Sequence, residues 1–190
     1  MENVVEWLLS VYPLSEVSLR LLEERTSPVH VPKKTLLIEA GRTNGHAYFI
    51  ERGITRSFWK IGREEYTTSF STSGSIVFSM DELYYGKESE EFVETLEPSL
   101  CFRISITDLR NLMESNLELC NWGRIIHQNE YRRLHRSHRD RLALPARERL
   151  EEFEKQFPEL SNSVNLGYIA SYLGMTQPTL SRLRAAKCRK

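Results

Sequence analysis

Gln177, Ser181 and Arg182 stand near the end of the chain, where they are left outward on a helix whose leucines turn to a core. Glutamine can pair bidentately with adenine, and arginine with guanine, along the major-groove edge of DNA. Leu180 and Leu183, three apart, are expected to turn the other way into a small core, with Ile169, Ala170 and Leu173 opposite. Arg184 is expected outward with the polar set. Thr176 suits the N-cap of this helix and Pro178 its first turn. The whole stretch 166–184 reads as two short amphipathic helices broken at Gly174, the pattern of a helix-turn-helix whose second helix enters the major groove.

The charge distribution agrees. Residues 161–190 hold five Lys or Arg and no Asp or Glu. The formal net charge of zero hides a split: residues 1–120 carry 12 Lys/Arg against 19 Asp/Glu, and residues 121–190 carry 14 against 7. A basic half attached to an acidic half points to nucleic acid as the partner of the basic one. Arg184, Lys187, Arg189 and Lys190 would supply salt-dependent affinity for phosphate.

Other side chains that could do chemistry do not assemble into a site. The run 71–75 is serine-rich but lacks a P-loop lysine and a nucleophile elbow. No nucleophile, base and orienting group fall together, so no enzyme is expected. His135 and His138 share a helix face, yet they sit among arginines that oppose a metal ion, and no metal or cofactor is expected. Cys101, Cys120 and Cys188 are odd in number and lie far apart, which fits reduced thiols in a cytoplasm; Cys120 reads as a small buried hydrophobe. No apolar run reaches membrane-spanning length, and the first twelve residues lack the basic start of a secretory signal. A cytoplasmic location follows as the expectation.

The elements that must position the DNA-reading residues are legible in outline. Residues 4–9 and 15–24 read as short helices. Strand-like runs at 35–39, 47–51, 54–60, 66–70, 92–96 and 100–104 alternate with Gly41, Gly53, Gly62, Gly74 and Pro98. Short strands at this spacing predict an antiparallel sandwich or jelly roll. Trp59, Tyr66, Phe70, Tyr84 and Tyr85 read as its core rather than as the lining of a ligand site. After Ser105 the period becomes helical. Ser115 to Glu118 has the form of a capping box opening a long helix. Leu119, Trp122, Ile126 and Asn129 then repeat at three- and four-residue spacing, a helix seam in which Asn129 would fix register. Pro145 starts a further helix, which stops at Pro158.

In this order the chain resembles the catabolite-activator (Crp/Fnr) superfamily of bacterial transcription regulators. Residues 37–41 (LIEAG), 48–56 (YFIERGITR) and 95–100 (TLEPSL) resemble strands of the family's cyclic-nucleotide-binding-type jelly roll. Residues 146–150 (ARERL), 157–160 (FPEL) and 169–174 (IASYLG) resemble its DNA-binding module. The resemblance implies an α+β fold. Its parts are a jelly-roll sensor domain with flanking helices at 1–110, a dimerisation helix at 111–143, and a helix-turn-helix, winged-helix-like domain at 144–190. Little sequence follows the second helix for a full wing. The resemblance further implies a homodimer joined at the seam Leu119, Trp122, Ile126 and Asn129, with double-stranded DNA and RNA polymerase as partners. Gln177 and Arg182, with Ser181 beside them, match base-contacting positions; Thr176 and Thr179 match phosphate-contacting ones, alongside Arg184 and Lys187.

The family's cyclic-nucleotide site uses a Gly-Glu pair and, further on, an arginine that neutralises the phosphate. Here Phe78 and Ser79 replace the pair, Ser89 falls near the arginine position, and Glu82 lies between. Glu88, Glu90 and Glu91 crowd the place of a phosphate, with Lys87 the nearby cation. The effector pocket at Phe78, Ser79, Glu82 and Ser89 is therefore not expected to take cAMP, and a different small-molecule effector stays open. The alternative is a ligand-binding or adaptor protein whose DNA-binding module does not function.

Overall fold

The computed structural model describes residues 1–187. Arg189 and Lys190, expected at phosphate, and Cys188 lie outside the described residues. Eight strands run Ser27–Val31 (β1), Leu36–Ile38 (β2), His46–Arg52 (β3), Thr55–Ile61 (β4), Glu64–Ser71 (β5), Ile76–Val77 (β6), Phe92–Thr95 (β7) and Ser99–Ser105 (β8). They form two four-stranded sheets, ordered β1-β8-β3-β6 and β2-β7-β4-β5. Early and late strands interleave in both, which is jelly-roll order. Two strands escaped the sequence reading. β1 contains Pro28, which is tolerated because β1 is an edge strand, and β6 is only two residues long.

The side-chain alternation of β3 builds two cores from one strand. Ala47 and Phe49 join a cluster with Val4 and Leu8 of α1 (Glu2–Val11), Leu22 of α2 (Glu16–Glu23), and Leu109 and Leu112 of α3 (Ile106–Ser115). Tyr48 and Ile50 point the other way, among Val31, Leu37, Val93 and Cys101. Burial there pushes the Cys101 thiol up to about 11. Glu51 then caps α1: its carboxylate accepts the N–H groups of Asn3 at 3.2 Å and Val4 at 3.1 Å. These are the donors that a helix start leaves without an intrahelical partner.

Helix α3 follows β8 directly, with Ser105 accepting from the Asp108 N–H. The long helix α4 is Leu117–Ala143. Its cap is Asn116, whose Oδ1 accepts the Leu119 N–H at 3.0 Å. The expected capping box does not form. Ser115 instead ends α3, with its hydroxyl on the Asn111 carbonyl, and Glu118 reaches away to α2.

The seam expectation also needs correction. Leu119, Trp122 and Ile126 are buried in the chain's own first cluster, with the Trp122 ring edge-on to Trp7 at 5.9 Å and tilted against Phe49. Asn129 is exposed. Three-and-four spacing identifies an apolar helix face but not what covers it, and here the protomer covers it itself. Cys120 is exposed rather than buried.

The chain divides into two compact units. The first holds residues 1–59 and 69–129. The second holds residues 60–68, the tip of the β4–β5 hairpin, and the chain from 130 onward. Helix α4 belongs to both. The second unit continues with α5 (Ala146–Gln156), α6 (Leu160–Ser163), α7 (Leu166–Tyr172) and α8 (Gln177–Lys187). Leu150, Phe153, Leu160, Ile169, Ala170, Leu173 and Leu180 are among its buried positions.

Candidate nucleic-acid interface

Helices α7 and α8 are set against each other by local chemistry. Asn165 caps α7 by accepting the Gly167 N–H at 2.7 Å. Gly174, the second residue of the turn, has φ +63, a left-handed conformation that glycine adopts without strain. Arg149 fastens that turn from α5: its guanidinium donates to the carbonyls of Arg141, Leu144 and Gly174 at 3.0 to 3.5 Å. Thr176 caps α8 through the Thr179 N–H at 3.4 Å, and its hydroxyl lies 2.9 Å from that of Thr179.

Leu180 is fully buried and Leu183 half-buried, as their spacing predicts. Gln177, Ser181 and Arg182 are exposed together on the opposite side of α8. Arg182 steadies itself on its own helix, with Nε 3.3 Å from the Pro178 carbonyl. Thr176 is exposed and Thr179 half-buried at the start of the same helix. Of the two basic residues farther along, Arg184 departs from the outward position expected of it. Arg184 is turned inward, with Nε and Nη2 buried and no hydrogen-bond partner among the described residues. Lys187 is exposed but ion-paired, its Nζ 2.6 Å from Glu154 of α5. The sequence reading missed Arg149 and Asn165; the asparagine just before an apolar-periodic stretch was the available signal for the second.

The four residues assigned to an effector pocket are largely spent inside the first unit. Both Glu82 oxygens are occupied, accepting the N–H groups of Asn44 at 2.8 Å and Gly45 at 2.7 Å. The Ser79 hydroxyl caps the short helical turn Asp81–Tyr85 by accepting the Glu82 N–H. Ser89 donates to the Glu91 carbonyl. Phe78 packs 5.8 Å from the His127 ring. A groove of about 800 Å³ opens beside them, lined by Ala40, Gly41 and Thr43 on one side and residues 86–90 on the other. Of the four, Ser89 alone lines it. Among the described lining residues Lys87 is the single cation, facing Glu88 and Glu90. Of the aromatic residues read as core, Phe70 is buried, whereas Trp59, Tyr66, Tyr84 and Tyr85 are exposed. Among the described residues no helix is long and apolar enough to cross a membrane.

An α+β chain with a two-sheet jelly roll followed by a long helix and a group of short ones has the fold of the Crp/Fnr regulators. Among solved structures it is similar to the c-di-GMP responsive global regulator CLP from Xanthomonas campestris, at 16% identity over 92% of each chain and a TM-score of 0.70. FixK2 from Bradyrhizobium japonicum matches at 15% identity over 85% of this chain and 83% of that one, TM-score 0.73. A CooA mutant from Carboxydothermus hydrogenoformans matches at 20% identity over 96% and 84%, TM-score 0.68. At these identities the likeness is one of fold. No protein-family model and no curated protein sequence matches the chain.

Proposed function

We propose that the chain is a homodimeric, sequence-specific DNA-binding transcription regulator of the Crp/Fnr type, acting in the cytoplasm and not as an enzyme. Helix α7 and helix α8 form its helix-turn-helix, and α8 is the reading helix. The observation that carries this is the edge Gln177, Ser181 and Arg182. It is exposed, free of carboxylates, and held on a helix whose other side is anchored by buried Leu180. Thr176 and Thr179 sit at the helix start, where backbone N–H groups and hydroxyls suit phosphate. RNA polymerase is the expected protein partner. The three-domain division at 1–110, 111–143 and 144–190 is retained as a functional one: sensor, dimer helix and reader.

The dimer face is assigned afresh. Leu117, Cys120, Arg124, His127, Tyr131 and Leu134 follow each other at three and four residues along α4. All are exposed except His127, which is half-buried. The spacing is that of a seven-residue repeat, with Leu117, Tyr131 and Leu134 as its large apolar members and Cys120, Arg124 and His127 between them. Two copies joined there would present one reading helix to each half-site, spaced about one helical turn apart.

The effector, if one binds the jelly roll, is not cAMP. The groove beside Ser89 sets one lysine against two carboxylates, and the Glu82 carboxylate is already filled by backbone donors. Among the described residues no arginine lines that groove to clamp a cyclic phosphate, and Arg42 beside it is paired with Glu39 at 3.2 Å. Calorimetric titration with cAMP should give no saturable heat; micromolar binding would overturn the exclusion. The DNA assignment is tested by selecting bound fragments from genomic DNA with the full chain. A shared two-fold motif is expected, and recovery of unrelated fragments alone would refute it.

A further inference from the structure

Strand β5 is the outer strand of its sheet, so one of its edges has no neighbouring strand. Residues two apart on such a strand turn their N–H and C=O groups the same way. Glu65 and Thr67 are such a pair, and one side chain satisfies both. The Thr67 N–H donates to the Ser171 hydroxyl at 2.9 Å, and that hydroxyl donates to the Glu65 carbonyl at 3.2 Å. Ser171 thus stands in for a missing strand. It lies on α7, and the hairpin tip, residues 60–68, belongs to the same compact unit as α7 and α8.

We infer that Ser171 is a positioning residue: a latch through which the β4–β5 hairpin fixes the α7–α8 pair. This rests on the DNA-reading assignment of α8.

The test compares Ser171→Ala and Ser171→Thr in the full chain. Hydrogen–deuterium exchange is read on the tip and on α7–α8, and duplex affinity is read by fluorescence anisotropy on a fragment selected by the wild-type chain. Ser171→Ala should speed exchange in the tip and in α7–α8 together. It should weaken the duplex about three- to ten-fold, the scale of one net hydrogen bond. Ser171→Thr, which keeps the hydroxyl, should behave like wild type. Faster exchange confined to the tip, or unchanged affinity alongside faster exchange, overturns the latch. Should the wild-type chain bind no duplex, the regulator assignment fails, and the latch stands or falls on whether tip and α7–α8 exchange rise together.

Discussion

The Ser18 hydroxyl lies 2.6 Å from Glu118 Oε2, joining residues one hundred positions apart and tying α2 to the first turn of α4. The same oxygen accepts from the N–H and the hydroxyl of Ser15, both at 2.8 Å. Hydrogen bonds from Ser18 first, and from Ser15 next, hold the Glu118 carboxyl below the usual carboxylate range. Its folded-state pKa lies under its unfolded value. Its contribution to stability is therefore complete above the unfolded pKa and is lost as pH falls through the folded one. Glu118→Gln should lower the melting temperature at neutral pH. The gap should close as melts are repeated toward acid, and a gap that persists below the folded pKa would contradict the assignment.

A buried ion pair sits in the second sheet. Arg56, 1% exposed, donates to Glu94 from Nε at 2.9 Å and Nη2 at 2.6 Å, and its guanidinium lies 4.0 Å over the Phe58 ring. Removing the carboxylate leaves the arginine's charge in place. Glu94→Ala should destabilise by about 3 kcal/mol, and Arg56→Met, which removes the charge and keeps the volume, by clearly less. Urea denaturation of the two variants measures the difference.

The two faces of α4 predict opposite outcomes. Trp122→Ala opens a cavity in the first unit's core and should cost roughly 3–5 kcal/mol, without a specific effect on association of chains that remain folded. Tyr131→Glu with Leu134→Glu alters an exposed stripe and should leave the melting temperature of the monomer nearly unchanged while shifting sedimentation from dimer to monomer. Dimers that persist in the double variant would return the seam to another surface.

On α8, Arg182→Ala should relax preference at one base pair per half-site, a loss of about 1–3 kcal/mol against the preferred base. Lys187→Ala should weaken all duplexes alike and lower the salt slope by about one. Because Glu154 already holds the Lys187 ammonium, Glu154→Gln should strengthen every duplex uniformly. Binding isotherms at several salt concentrations distinguish the three.

Much of what is local was legible in the sequence alone. Strands β2 to β5, β7 and β8 announced themselves through alternation and glycine turns. The α7–turn–α8 pattern was legible because Gly174, the Thr176 cap and the Leu180 anchor all act within a few residues of one another. Tertiary structure alone decided what each surface meets. Leu119, Trp122 and Ile126 have the same spacing whether they face a partner or their own sheet, and packing against Val4, Leu8 and Phe49 chose the sheet. Glu118 looked like half of a capping box until Ser15 and Ser18 came within reach. Arg184 and Lys187 looked equally free, yet one turns inward and the other meets Glu154. Periodicity and capping report forces along the chain. Burial and pairing depend on neighbours that only folding brings near.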